Sequence, residues 1–203
     1  MADTSPTETV HFMADIETLG TRHRPVITSI GLVAFSKASG ILGRLYVGVD
    51  IGSCMRHGAH IDPDTLMWWL DPKRDAARAE WLDLPRLDID LAMDALVGWT
   101  EQWSGVAKRA ADEVPNDADV IYRRGGLWGK GSTFDCVHLR DAAAYTSTDW
   151  PFSFRDDECY RTIAKRFPDV LATPLDNAHS AIADAEGQAM HLLAISYKTG
   201  FQL

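Results

Sequence analysis

The stretch HFMADIETLG (residues 11–20) sets two acids, Asp15 and Glu17, inside an apolar run. Alternate residues of a strand face opposite sides. From Val10 onward the pattern therefore sends His11, Met13, Asp15 and Glu17 one way and Val10, Phe12, Ala14 and Ile16 the other. Two carboxylates so placed repel, and one takes up a proton unless a cation lies between them. Mg²⁺ is a hard ion that prefers oxygen ligands and suits that position. The competing account is a strand end where both acids face solvent, the usual place for charge.

Working outward, VITSIGLVAFS (26–36) and ILGRLYVGVD (41–50) are β-branched and apolar, and KASG between them suits a hairpin. The first three strands read as an antiparallel run. Residues 1–9 read as a flexible polar leader, and residues 10–203 as a single domain with a helical insertion at about 52–85. Within that insertion Asp62 with Pro63, and Asp71 with Pro72, supply helix caps followed by a proline at the first helical position. Residues 88–113 predict one long amphipathic helix, with Leu91, Ala95, Leu96, Trp99, Trp103 and Val106 at helical spacing. A strand follows over 118–129, then helices over 132–145 (capped by Ser132 or Thr133), 156–167 and 179–198. This order predicts an α/β fold, a mixed sheet flanked by helices.

Composition narrows the class. The chain has 203 residues, 46% of them hydrophobic, enough for a real core. Its three cysteines form no CxxC pair, which argues against a disulfide framework or structural zinc. No apolar segment approaches membrane-spanning length, so the expected location is a reducing cytoplasm with no membrane partner. A net charge of −9 disfavours a broad non-specific nucleic-acid surface, but leaves room for a metal-dependent nuclease whose site is itself acidic.

Three further residues bear on that question. Asp135 opens a helix after the glycine-rich turn of LWGKGSTFD, and NAHSAIADAEGQA carries His179 with Asp184 five positions on. Singly, Asp135 is a first-turn acid favoured by the helix dipole, His179 a helix-entry residue and Asp184 a surface acid. Together with Asp15 and Glu17 they form DxE…D…HxxxxD. With its flanking sequences, this set resembles the DnaQ-like 3′–5′ exonucleases of the DEDDh type, in the branch of exoribonucleases and exodeoxyribonuclease VIII-like enzymes. The resemblance covers about residues 10 to 197.

It implies a ribonuclease H-like fold and a metal-dependent 3′–5′ exonuclease that releases nucleoside 5′-monophosphates from single-stranded RNA or DNA 3′ ends, RNA slightly favoured. Asp15, Glu17, Asp135 and Asp184 would hold two Mg²⁺ or Mn²⁺ ions, and His179 would be the general base, a task suited to an imidazole titrating near neutrality. Thr18 and Leu19 would meet the terminal sugar and base. Trp68 or its neighbour Trp69 could stack a base, with Phe134 a further candidate. Lys130 stands where this branch is expected to carry Asn, and its charge suits phosphate. Arg22, Arg24, Arg155 and Arg161 flank the motifs as further phosphate candidates. The resemblance and the aromatic insertion also suggest a homodimer. His57 and His60 form an HxxH without a third zinc ligand, and His11, His138 and His191 read as structural. Two other readings keep the fold but change the function. One is a non-catalytic nucleic-acid-binding module, which would lack one of the five residues. The other is a ribonuclease H-type endonuclease, which would still cut a 3′-blocked strand.

Overall fold

The computed structural model describes residues 7–107, 120–175 and 179–203. Strands β1 (Thr7–Thr18), β2 (Ile27–Ser36) and β3 (Gly40–Val49) form the antiparallel run, and Gly40 turns the hairpin with φ +75°. A left-handed residue there costs a glycine little. Helices α1 (Ile51–Arg56), α2 (Pro63–Trp69) and α3 (Asp75–Asp83) follow, then β4 (Arg86–Leu87), α4 (Ile89–Glu101) and β5 (Gly105–Ala107). The chain continues through β6 (Val120–Gly129), α5 (Asp135–Thr146), β7 (Asp157–Cys159), α6 (Tyr160–Arg166) and α7 (Ala181–Thr199). The seven-stranded sheet runs β4-β3-β2-β1-β6-β5, with β7 also paired to β6. β1 lies centrally, antiparallel to β2 and parallel to β6.

Both faces of the sheet are covered. Val10, Phe12, Ala14 and Ile16 point into the larger core, which includes Met93 and Leu96 of α4 and Leu139 of α5. Met13 points the other way, joining Val33, Phe35 and Trp128 beneath Ala185, Ala189 and Leu192 of α7. A fully buried side chain of this size contributes about 1.5–3 kcal/mol. The two-residue period thus sends both acids of β1 toward α7. Gly31 pairs with Asp15, and a Cβ at Gly31 would lie 2.4 Å from the Ala181 backbone. Only glycine lets the start of α7 come down on the sheet there, beside Asp15.

Several expected elements differ. β1 begins at Thr7, inside the expected leader. The long helix over 88–113 stops at Glu101, and Leu91 is exposed. Gly105, at φ +103°, turns the chain into β5, which pairs with β6. Trp99, Trp103 and Tyr122 stack edge to face at 5.8–6.0 Å, so the apolar spacing that mimicked a helix is an aromatic column crossing from α4 to the sheet. The remainder of that expected helix, residues 108–113, lies outside the described residues. Asp157–Cys159 are strand rather than helix, and α5 starts after Phe134 with no side-chain cap from Ser132 or Thr133. Among the described residues, no helix is long and apolar enough to cross a membrane.

Candidate active site

Three separate pieces of chain converge at the end of β1. Its register shifts between Glu17 and Thr18, and the Trp69 indole donates to the Thr18 carbonyl at 2.9 Å, fastening α2 to the strand end. Asp135 leads α5 out of the turn after β6. Its carboxylate accepts from the backbone N–H of Ile16 at 3.4 Å and of Gly131 at 3.5 Å. Gly129 makes this possible, because a Cβ there would meet the Asp135 side chain at 2.9 Å. Ser180 caps α7 by accepting from the Ala183 N–H, while its hydroxyl donates to Glu80 of α3. Asp184 sits in the first turn of α7 and accepts from the His179 N–H at 3.1 Å.

Asp15, Glu17, Asp135, Asp184 and His179 line one cavity of about 230 Å³, with Lys130 and Arg161 at the same cavity. Ligand atoms of Glu17, His179 and Asp184 lie within 4.8 Å of one another. Burial, reinforced by Asp135, Glu17 and Asp184, pushes the Asp15 carboxyl well above its ordinary range. Burial and the same crowding raise Glu17 to about 8, and burial raises Asp135 to about 6. Such a site is electrostatically incomplete: its acids gain by receiving cations. Hard oxygen donors at this density fit divalent ions such as Mg²⁺ or Mn²⁺.

His179 carries φ +71°, a left-handed backbone that a non-glycine residue adopts at a cost and that clusters at functional sites. Burial lowers its pKa, assisted by Arg74. The Trp68 ring meets the imidazole edge to face at 5.0 Å, and the Arg74 guanidinium covers Trp68 at 4.2 Å.

A family model described as the 3′–5′ exoribonuclease Rv2179c-like domain matches residues 10–196. The chain belongs to this family. It is accordingly a 3′–5′ exonuclease. A comparison with curated protein sequences gives no match. Among solved structures, the nuclease domain of 3′hExo, a DEDDh family member bound to rAMP, is similar with a TM-score of 0.53 and 11% identity over 98% of this chain and 96% of that one. A 3′-exonuclease with 3′-end specific recognition of the histone mRNA stem-loop gives 0.54 and 8%, over 94% and 82%. S. pombe Pop2p in its Mg²⁺ and Mn²⁺ bound form gives 0.56 and 13%, over 97% and 84%. At these identities the likeness speaks for the fold, which is ribonuclease H-like.

Beside the acidic cavity a larger one of about 530 Å³ is lined by Ile16, Thr18, Trp68, Trp69 and Phe134, with Arg22 and Asp62 at its polar side. Trp69 is buried, while Trp68 is 38% exposed. Leu19, expected to meet the terminal base, lies just past the end of β1, buried in the main core, and lines neither cavity. The arginines divide. Arg22 and Arg161 reach the two cavities, Arg24 is committed to Asp141, and Arg155 lies over Phe154. Among the described residues His57 and His60 join no metal-type cluster, and His57 pairs with Asp90. Sequence reading missed Gln188, whose amide donates to Asp15 at 2.9 Å. Its signal was present: it lies four residues after Asp184, on the same face of α7.

Proposed function

We propose that this exonuclease removes nucleotides singly from the 3′ ends of single-stranded RNA and releases nucleoside 5′-monophosphates. The observation that carries the reading is the convergence of Asp15, Glu17, Asp135, Asp184 and His179 on one cavity. The family's description as exoribonuclease favours RNA over DNA. Asp15, Glu17, Asp135 and Asp184 would hold two divalent ions, Mg²⁺ or Mn²⁺. Such ions, when bound, would stabilise the attacking and leaving oxygens of an in-line displacement.

The chain's own residues supply the rest. Gln188 fixes the Asp15 carboxylate by its amide hydrogen bond. His179 takes the proton of the attacking water as its oxygen bonds to phosphorus. The bond from phosphorus to the 3′ oxygen of the preceding nucleotide breaks, and that oxygen leaves with the electron pair and is protonated. The terminal nucleoside occupies the larger cavity, with Thr18 near its sugar and Trp68 and Phe134 offering aromatic surface. Lys130 meets phosphate.

The test uses 5′-labelled RNA and DNA oligonucleotides with Mg²⁺ or Mn²⁺. The expected result is a ladder shortening from the 3′ end, faster on RNA, and abolished by EDTA. Cleavage of a 3′-blocked strand would make the protein an endonuclease, and faster shortening of DNA would overturn the RNA assignment.

A further inference from the structure

The cavity holding the acids also holds two cations. Lys130 lies in the turn between β6 and α5, and Arg161 in the first turn of α6. The Arg161 N–H donates to the Lys130 carbonyl at 3.3 Å, so the two stations are tied together through the backbone. Elsewhere in this chain arginines near acids are paired: Arg24 with Asp141, Arg44 with Glu186, Arg140 with Asp157. Lys130 and Arg161 form no ion pair with another described residue, although four carboxylates line the same cavity. Asp15 takes its hydrogen bond from Gln188, and Asp135 and Asp184 take theirs from backbone N–H groups. Lys130 offsets part of the crowding at Glu17 from a distance, but neither cation is taken up in an ion pair, so both are placed for an anion that arrives later.

We propose that Lys130 and Arg161 grip the non-bridging oxygens of the scissile phosphate and act as catalytic residues in its displacement. The proposal rests on the exonuclease reading above. The charge of the four carboxylates would be balanced by two divalent ions, with nothing left over. A phosphodiester attacked by a hydroxide equivalent carries two negative charges at the transition state. The two side chains match that number. Charge that grows during the reaction is where fixed cations act most strongly. Arg161 offers a planar fork and Lys130 a compact point charge, both established phosphate-binding chemistries.

The phosphate held could instead be one further along the strand, and a dinucleotide separates the two because its only phosphate is the scissile one. Lys130→Met and Arg161→Met are compared with wild type on a cleavable dinucleotide, on a ten-residue RNA, and on a dinucleotide whose leaving 3′ oxygen is replaced by methylene. Binding of the last is followed by calorimetry in Mg²⁺. Each substitution is expected to weaken dinucleotide binding and slow its cleavage by roughly ten- to a hundredfold, as for a charge-assisted hydrogen bond. The slope of log affinity against log salt should fall by about 0.7 per cation lost. Lys130→Arg should recover most of the loss, and melting temperatures should stay unchanged. Full dinucleotide binding and turnover, with weakened affinity only for the longer RNA, would overturn the proposal by assigning both cations to upstream phosphates. Unchanged behaviour on every substrate would overturn it by making them bystanders. Wild-type protein that neither binds nor cleaves any of the three would fail the exonuclease reading itself.

Discussion

Asp141 and Asp15 are both shielded carboxylates within the same sheet-and-helix frame, and the chain treats them in opposite ways. Asp141, on α5, receives the fork of Arg24 through Nε at 3.2 Å and Nη2 at 3.3 Å. Glu186 receives Arg44, which holds its carboxyl below the ordinary range, and Asp157 receives Arg140. Asp15 receives one neutral amide, and its nearest charged neighbours are other acids. The fold thus pairs guanidinium groups with carboxylates that serve structure, whereas at the end of β1 Arg161 lines the cavity of the acids without an ion pair among the described residues. Asp141 has its cation in the free protein. On the proposed reading, the acids of the site receive their cations only when divalent ions bind.

The sharpest way to break this contrast is to neutralise one acid of each kind. Asp15→Asn or Asp184→Asn should lower cleavage by about a thousandfold or more, since transition-state charge stabilisation is lost at its source. The metal-free Asp15→Asn protein should nevertheless melt higher than wild type, because a repulsive group has been removed. A lower melting temperature would show that Asp15 is structurally paired after all. His179→Ala comes next, with a loss of roughly 10²–10⁴-fold in kcat, the usual worth of a general base. Calorimetric Mn²⁺ affinity of that variant should stay near wild type; its collapse would make His179 a ligand, a role that its closeness to Glu17 and Asp184 keeps geometrically open.

The pH dependence of stability sharpens the comparison. Glu17 titrates at about 8 in the fold, against an ordinary value of 4.5. Between those values the unfolded chain has lost the proton that the folded chain keeps, so the native state binds more protons. Stability of the metal-free protein should therefore fall as pH rises from about 4.5 to about 8, by an amount on the order of a few kcal/mol. Mg²⁺ or Mn²⁺ should restore it, most strongly at the alkaline end, where protons compete least for the carboxylates. Melting curves with and without metal at several pH values check the sign. A metal-free stability that rises over this range would contradict the idea of uncompensated acids.

The contrast was half legible in the sequence. Strand alternation brought Asp15 and Glu17 to one face without any structure, and the ordered set with Asp135, His179 and Asp184 resembled a known family. Gln188 shares the helical face of Asp184, but an amide there points to no chemistry until its neighbour Asp15 is known. Leu19 is placed at the terminal base by the resemblance alone, and its turn into the main core just past the end of β1 leaves no mark in the local pattern. The end of α4 was obscured by tryptophans whose stacking column kept the helical spacing past Glu101. The pairing of Arg24 with Asp141 spans 117 positions, a separation no local pattern can reveal.

That pairing gives the smallest expected effect, and the one most specific to the structural kind of acid. Arg24 has φ +50°, an uncommon backbone for arginine, and it also donates to the His57 carbonyl and covers the Tyr145 ring at 5.0 Å. The loop that carries it leads from the strand end into β2, and the Leu19 N–H donates to Val26 across it. Asp141→Ala removes the partner that holds this loop down. The cost should be about 1–3 kcal/mol, between an exposed pair and a buried one, because both side chains keep some solvent contact. Turnover in saturating Mg²⁺ should change less than tenfold, since no site acid depends on Asp141 for a hydrogen bond. The informative measurement is a urea melt of Asp141→Ala beside Asp15→Asn, both metal-free. Opposite signs of the stability change would confirm that the chain contains two classes of carboxylate, and equal signs would dissolve the distinction.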